Sequence, residues 1–348
     1  MADRKGFAIG GGHIAPGERR TIDLPLSLLS NHTPMTLPVH VVNGKKDGPT
    51  VFVSAAIHGD EIMGVEIIRR VLRSKALERL SGTLLAIPIV NAYGFLAHSR
   101  YLPDRRDLNR FFPGSEKGSL TARLADLFVS EIVRRSDFGI DLHTAAVHRT
   151  NYPQLRYDAK ASSQLRKLAD AFGAPVVMEA ALRAGSLRET AKHLGVEVLL
   201  YEAGEALRFD EFAIRIGTRG VLAVLQELQM LPKRTVARVK REPVRSTSSY
   251  WLRAPQGGIL RAHKNVGDFV SANELIGYIG DPFGEFETEI LTHGAGIIIG
   301  RTNLPIVNQG DALFHVAKLK NLVVAGNKMD AISDEIENHP LFDEDEIL

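Results

Sequence analysis

Val51-Phe52-Val53-Ser54-Ala55-Ala56-Ile57, followed at once by His58-Gly59-Asp60-Glu61, is the stretch on which the reading of this chain turns. The run is rich in β-branched and small residues and is bounded by Gly48-Pro49 upstream and Gly59 downstream. It predicts a buried strand whose end delivers His58 to the carboxyl edge of a sheet. Beyond it Ile62, Val65, Ile68, Val71 and Leu72 recur with helical period, so Glu61 opens a helical segment about one turn from His58. The two side chains can meet at one ion without sharing one regular helix.

A second short apolar segment ends in Asp141-Leu142-His143. Two imidazoles and one carboxylate make a nitrogen and oxygen donor set that suits Zn²⁺, and three protein ligands leave a position open for water. An open position points to catalysis, not to a structural metal. Asp141, two residues before His143, is expected to orient that imidazole from behind.

Composition bounds the alternatives. The chain has 348 residues, 44% hydrophobic and 24% charged, which is ordinary for a globular protein of about two domains. A net charge of +2, with no basic stripe interleaved with aromatics, gives no support to nucleic-acid binding. The chain has no cysteine, so any metal must be held by His and carboxylates. The first twenty residues lack the apolar core of a signal peptide, and no later run is long enough to span a bilayer. A cytoplasmic protein with no membrane partner is the expectation.

From residue 50 to 230 short apolar runs alternate with longer amphipathic ones, which predicts an α/β domain on a mainly parallel or mixed central sheet flanked by helices. Strands are expected at 83–90, 137–142, 175–178 and 196–201, and helices at 120–133 and 211–228. Ligands of such sheets bind outside the carboxyl ends of the strands, where His58, His143 and Glu202 all fall. Residues 1–43 read as extended strands and turns. Residues 235–318 are broken by many glycines and read as a small all-β sandwich, in which Asn265-Val266-Gly267-Asp268 and Val307-Asn308-Gln309-Gly310-Asp311 echo each other. The expected division is residues 1–234, 235–320 and an acidic tail, 321–348.

His58-Gly59-Asp60-Glu61, Arg100-Tyr101, Asp107-Leu108-Asn109-Arg110, Asp141-Leu142-His143 and Glu202-Ala203-Gly204, in that order, resemble the succinylglutamate desuccinylase/aspartoacylase family of zinc carboxypeptidase-like enzymes. The resemblance covers most of the chain. It implies a zinc-dependent hydrolase, with one Zn²⁺ per chain, that cleaves the amide of an N-acyl amino acid or related small carboxylate. By the same resemblance His58, Glu61 and His143 bind zinc, Glu202 is the base, Arg100 polarises the scissile carbonyl, and Asn109 and Arg110 grip a substrate carboxylate. Two departures stand out: Asp60 occupies a position where Asn is common, and the segment from Arg100 to Asn109 is slightly longer than in aspartoacylase itself.

The chemistry asks for these residue types. A carboxylate that takes a proton from water and passes it to the leaving amine contributes roughly 10²–10⁴-fold. Arginine is the preferred carboxylate clamp because its planar fork donates two parallel hydrogen bonds. Residues 148–153 with Arg156 are read as a loop after His143 in which Arg149, Asn151 and Arg156 contribute to substrate specificity. Set against this, Arg149 and Arg156 also read as solvated charges, Asp107 to Arg110 as a salt-bridged turn, and Glu202 as a helix cap with Glu205 the base instead. His13, His98, His148, His193, His263 and His315 read as surface or satisfied partly buried groups rather than ligands, His148 being the one to watch.

Gly258-Ile259-Leu260, Val266-Gly267-Asp268-Phe269-Val270, Phe286-Glu287-Thr288-Glu289-Ile290 and Gly310-Asp311 resemble a biotinyl/lipoyl-type sandwich. In those carriers a lysine at the hairpin tip is modified; here that place reads Glu285, and a carboxylate cannot form the amide link. The sequence therefore favours a small-molecule amidohydrolase, with a homo-oligomer a possibility, over a metallocarboxypeptidase acting on peptides or a non-catalytic carrier.

Overall fold

The structure, a computed structural model, describes residues 4–237 and 242–319. The acidic tail at 321–348 lies outside the described residues.

One mixed sheet dominates. From one edge its strands run Arg19–Leu28, Pro34–Asn43, Ser81–Ile87, Lys46–Ala55, Phe138–Ala145, Glu197–Glu205, Arg149–Tyr157, Gly296–Thr302, Ala312–Lys318 and Ser249–Arg253. The centre is parallel: Lys46–Ala55 pairs in parallel with Ser81–Ile87 on one side and with Phe138–Ala145 on the other, and Phe138–Ala145 with Glu197–Glu205. The chain therefore reverses its winding at Lys46–Ala55, which opens a crevice at the carboxyl ends of that strand and its neighbour.

The opening run is apolar but for Ser54 because this strand is covered on both faces. Val51, Val53 and Ala55 join a core with helices Met63–Arg73, Ser163–Phe172 and Glu211–Glu227. Phe52 points the other way, into a second core with helices Leu120–Glu131 and Leu187–His193. There its ring meets that of Phe128 edge to face, with centroids 5.8 Å apart.

The expected elements are found with shifted ends, and the shifts matter. The second strand runs on to Ala145 and the later one to Glu205, so His143 and Glu202 lie inside strands and not just past them. Residues 148–153 with Arg156 are not a loop. Past the turn at His148 they belong to strand Arg149–Tyr157, antiparallel to Glu197–Glu205, which fixes their side chains in alternation on the sheet. Of the residues up to Asn43, Phe7–Ile9 and Gly12–Ile14 pair as a small sheet of their own, and Arg19–Leu28 and Pro34–Asn43 form the far edge of the central sheet, where Pro34–Asn43 pairs with Ser81–Ile87.

Every regular element between residues 244 and 318 is a strand, as expected, but these strands do not stand apart. One layer of this segment extends the central sheet, with Gly296–Thr302 bonded to Arg149–Tyr157 through Gly300 and Asn151, and Val244–Ser246 paired with Val176–Glu179. The other layer is a four-stranded sheet whose members include Gly258–Ala262, Leu275–Gly280 and Glu287–Leu291. The two echoing phrases fold alike: Asp268 accepts from the Asn265 amide and Asp311 from the Asn308 amide, each at 2.8 Å. Glu285 is exposed in a hairpin turn, where its amide donates to Asp281 at 2.8 Å.

Candidate metal centre and substrate cavity

Three elements bring the site together. After Ala55 the backbone turns through Ala56, whose φ of +51° lies in the left-handed region that a residue with a Cβ enters only under strain. That turn sends His58 to Glu61 across the carboxyl edge. Gly59 is required by space, since a Cβ there would lie 2.0 Å from the backbone carbon of Gly94.

His58, Glu61 and His143 are buried, and one donor atom from each lies within 4.8 Å of the others. Glu61 bridges the two imidazoles, with Oε1 2.7 Å from His58 Nδ1 and Oε2 2.7 Å from His143 Nδ1. His58 Nδ1 is buried without the alignment of a hydrogen bond to any partner among the described residues, the state of a ring nitrogen whose lone pair is meant for a cation. Behind each ring stands a carboxylate: His143 Nε2 bonds Asp141 at 2.8 Å and His58 Nε2 bonds Asp107 at 3.1 Å. Such carboxylate–imidazole pairs fix ring orientation and tautomer in metal sites. Two imidazoles and a carboxylate so arranged fit Zn²⁺.

The electrostatics agree. Burial disfavours ionised Glu61, but His58 and His143 outweigh it and hold the carboxyl far below the usual range. Burial likewise opposes a charged His143, yet Asp141 and Glu61 win and raise it well above its ordinary value. Burial also opposes a charged Arg100, and is again outweighed, by Glu61 and Asp107. Its guanidinium donates to Glu61 at 3.0 Å and to Asp107 at 3.1 Å. Asp107 in turn accepts from the Asn109 amide at 2.9 Å, which closes the short turn carrying Asn109 and Arg110.

These groups open onto a cavity of about 270 Å³. Its wall includes His58, Glu61, His143, Arg100, Asn109, Arg110, Arg149, Asn151, Arg156 and Glu202, so every residue given a metal, catalytic or substrate-binding role from the sequence reaches it. Glu202 pairs across the sheet with His143. It accepts a hydrogen bond from Asn151 at 2.8 Å and has Arg156 at 3.9 Å. It does not cap the next helix; Asp210 does, accepting from the Ala213 amide. Glu205 is turned away from the cavity to His148 and Asn303. The Asn109 side-chain oxygen is occupied by the Leu187 amide at 2.9 Å, and Arg110 is exposed at the rim.

Sequence reasoning passed over Arg183, Arg188, Trp251, Arg301 and His315, which also line the cavity. His315 is the partly buried, satisfied kind of histidine: it is 7% exposed, bonds Ser249 at 2.8 Å and stacks on Trp251 with centroids 4.2 Å apart. His148 is not part of the wall. Arg183 lies between strand Val176–Glu179 and helix Leu187–His193 and Arg188 opens that helix; because this strand runs antiparallel to the central ones, no strand-end signal marks them. Nothing local marks Trp251 or His315, which reach the cavity only because their strands extend the central sheet.

Fold and centre together define an α/β protein with a buried His–Glu–His group, able to hold a metal, at the switch point of its sheet. Residues 47–228 match the succinylglutamate desuccinylase/aspartoacylase catalytic domain, and the chain belongs to that family. Among curated relatives, N-alpha-acetyl-L-2,4-diaminobutyric acid deacetylase of Halomonas elongata is 27% identical over 296 residues, covering 81% of this chain and 86% of that protein. Succinylglutamate desuccinylase of Pseudomonas aeruginosa is 28% identical over 190 residues, 50% of this chain and 56% of that protein. Among solved structures, a succinylglutamate desuccinylase/aspartoacylase from Rhodobacter sphaeroides superposes with a TM-score of 0.76 at 27% identity, covering 86% of this chain and 95% of that one. The product-bound ectoine utilization protein EutE (DoeB) from Ruegeria pomeroyi shares the fold, with a TM-score of 0.78 at 22% identity, covering 92% and 97% of the two chains. Among the described residues no helix is long and apolar enough to cross a membrane.

Proposed function

We propose that the chain is a zinc-dependent amidohydrolase that removes the acyl group of an N-acyl amino acid or a related small carboxylate. The observation that carries this reading is the buried His58–Glu61–His143 group, with a carboxylate behind each imidazole, on the wall of the same small cavity as Glu202. Bound there, zinc would lower the pKa of water towards about 7 and polarise a carbonyl.

The remaining roles fall to the chain's own groups. Glu202 is the base, holding the water proton and returning it to the leaving nitrogen. Its hydrogen bond from Asn151 fixes one carboxylate oxygen and leaves the other to work, so Asn151 acts here by positioning Glu202. Arg100 is anchored by Glu61 and Asp107 through two of its donors, and its remaining N–H groups can meet the oxygen on which charge develops. Asn109 and Arg110 at the rim take the substrate carboxylate, with Arg149 and Arg156 adding positive charge. A cavity of about 270 Å³, walled on one side by Trp251, Arg301 and His315, favours a small amide over an extended peptide.

The test is direct. Protein loaded with zinc is offered a panel of N-acyl amino acids and short peptides while released carboxylate and amine are measured. Cleavage of acyl amino acids that disappears in His143→Ala, together with its zinc, supports the reading. Undiminished zinc in that variant would refute the ligand assignment.

A further inference from the structure

Glu202 meets a partner at each carboxylate oxygen: Asn151 Nδ2 donates to Oε2 at 2.8 Å, and Arg156 Nη1 stands 3.9 Å from Oε1. Both partners lie on strand Arg149–Tyr157, and its pairing with Glu197–Glu205 explains how they reach one carboxylate. Glu202 opposes Gln154 and Gly204 opposes Asn151, so two steps along one strand face three along the other. The extra residue is a β-bulge, and it turns Asn151, Gln154 and Arg156 toward the face that carries Glu202. In a regular strand Asn151 and Gln154 would point to opposite faces.

Strand Gly296–Thr302, from the C-terminal segment, backs both partners. Gln154 is fully buried; its Nε2 donates to the Ile299 carbonyl at 3.0 Å and its Oε1 accepts from Arg156 Nε at 3.2 Å, so the guanidinium near Oε1 is tied to that strand. On the Oε2 side, Asn151 lies directly across the ladder from Gly300. A carboxylate only accepts, so the Asn151 amide must turn Nδ2 to Glu202 and Oδ1 the other way. Oδ1 then takes the space of a side chain at 300. A Cβ there would come within 2.9 Å of it, closer than packed atoms approach, while His315 Cβ and the Thr150 carbonyl would stand at an ordinary 3.5 Å. Gly300 does not have a left-handed φ, so space and not backbone conformation asks for glycine here. Nor does it line the cavity.

We propose that Gly300 is a positioning residue for Glu202: by lacking a side chain it lets Asn151 hold Oε2, and the strand that carries it, tied also to Arg156 through Gln154, sets the orientation of the base. This rests on the deacylase reading above and deepens it, because the C-terminal segment then acts on proton transfer besides walling the cavity. The terminal torsion of a glutamate is broad, so a carboxylate released from Asn151 swings away from its aim. A misplacement of about 1 Å in a catalytic group costs up to roughly 10²-fold in rate.

The test compares full-length, zinc-loaded wild type with Gly300→Ala, Asn151→Ala and the double variant, on an N-acyl amino acid that the wild type cleaves. Gly300→Ala should lower kcat about 10-fold or more while KM stays within about 2-fold, because the displaced amide aims the base and the added methyl lies outside the cavity. Asn151→Ala should cost about as much, and the double variant no more than Asn151→Ala alone, since the methyl then has nothing left to displace. Losses that multiply in the double variant, or a wild-type kcat in Gly300→Ala, overturn the proposal. If Gly300→Ala loses stability, the double variant should regain the melting temperature of Asn151→Ala; a double variant that stays unstable places the clash elsewhere and overturns it too. Crystal structures of wild type and Gly300→Ala keep the two claims apart. Asn151 moved out of hydrogen-bond reach of Glu202, in a protein whose wild type cleaves no amide, leaves the role of Gly300 in placing that carboxylate standing and removes the deacylase reading. Asn151 unmoved in an enzyme that cleaves does the reverse.

Discussion

Asp141 and His143 stand two residues apart on one strand, and the Asp141 carboxylate accepts a hydrogen bond from His143 Nε2 at 2.8 Å. Strand alternation puts both side chains on one face. Ser54, on the neighbouring strand, holds the other Asp141 oxygen at 2.8 Å. The far nitrogen of the imidazole is thereby fixed as a donor, which leaves Nδ1, 2.7 Å from Glu61, free to bind a metal.

Asp141→Asn should therefore keep the fold and weaken metal binding about 10- to 100-fold, the usual cost of losing such a support. Competition of the variant and the wild type against a chromophoric chelator measures it. Equal zinc affinities would mean that Asp141 does not support the ligand.

Glu202→Gln keeps the side-chain shape and the oxygen that Asn151 contacts but cannot take a proton. Metal content and KM should stay near wild type while kcat falls by roughly 10²-fold or more. A zinc-loaded variant that turns over normally would move the role of base elsewhere.

Arg110 is exposed at the rim and donates to its neighbour's carbonyl, so its contact with substrate is partly screened. Arg110→Ala should lower kcat/KM by about 1–2 kcal/mol, less than a dry bidentate pair would lose. The same loss on a substrate whose α-carboxylate has been made an amide would show that no clamp operates there.

His315 stays neutral in the fold because burial pushes its pKa down to about 3, whereas the unfolded chain protonates it near 6.5. Between those values the unfolded state binds the extra proton, so stability falls as pH drops through that window, by up to about 1.4 kcal/mol per pH unit for this group. Denaturant unfolding at pH 6.5 and 4.5 should show a steeper loss in wild type than in His315→Gln. Parallel losses would assign the acid sensitivity to other groups.

Removing everything after Leu231 would strip Gly296–Thr302 and Val244–Ser246 from the central sheet and uncover Val176, Met178 and their shared core with Ile297 and Ile299. The truncated chain should aggregate or unfold on heating well below the full chain, not simply accept larger substrates. Intact mass of the full chain should show no lipoyl or biotinyl adduct, Glu285 standing where a carrier has its lysine.

The sequence by itself determined the parallel core and the His58–Glu61–His143 group able to hold a metal. A strand covered on both faces is apolar along most of its buried length, and His58, Glu61 and His143 are marked by lying in or next to such runs. Tertiary structure alone decided the far wall of the cavity. Periodicity records which face of an element is buried but not which distant strand lies beside it. Arg149 and Asn151 therefore looked like loop residues until strand Arg149–Tyr157 was seen paired on both sides. Trp251 and His315, about a hundred residues or more beyond the His58–Glu61–His143 group in the chain, reach the cavity only because hydrogen bonds through Gly300 carry the sheet on into the C-terminal segment.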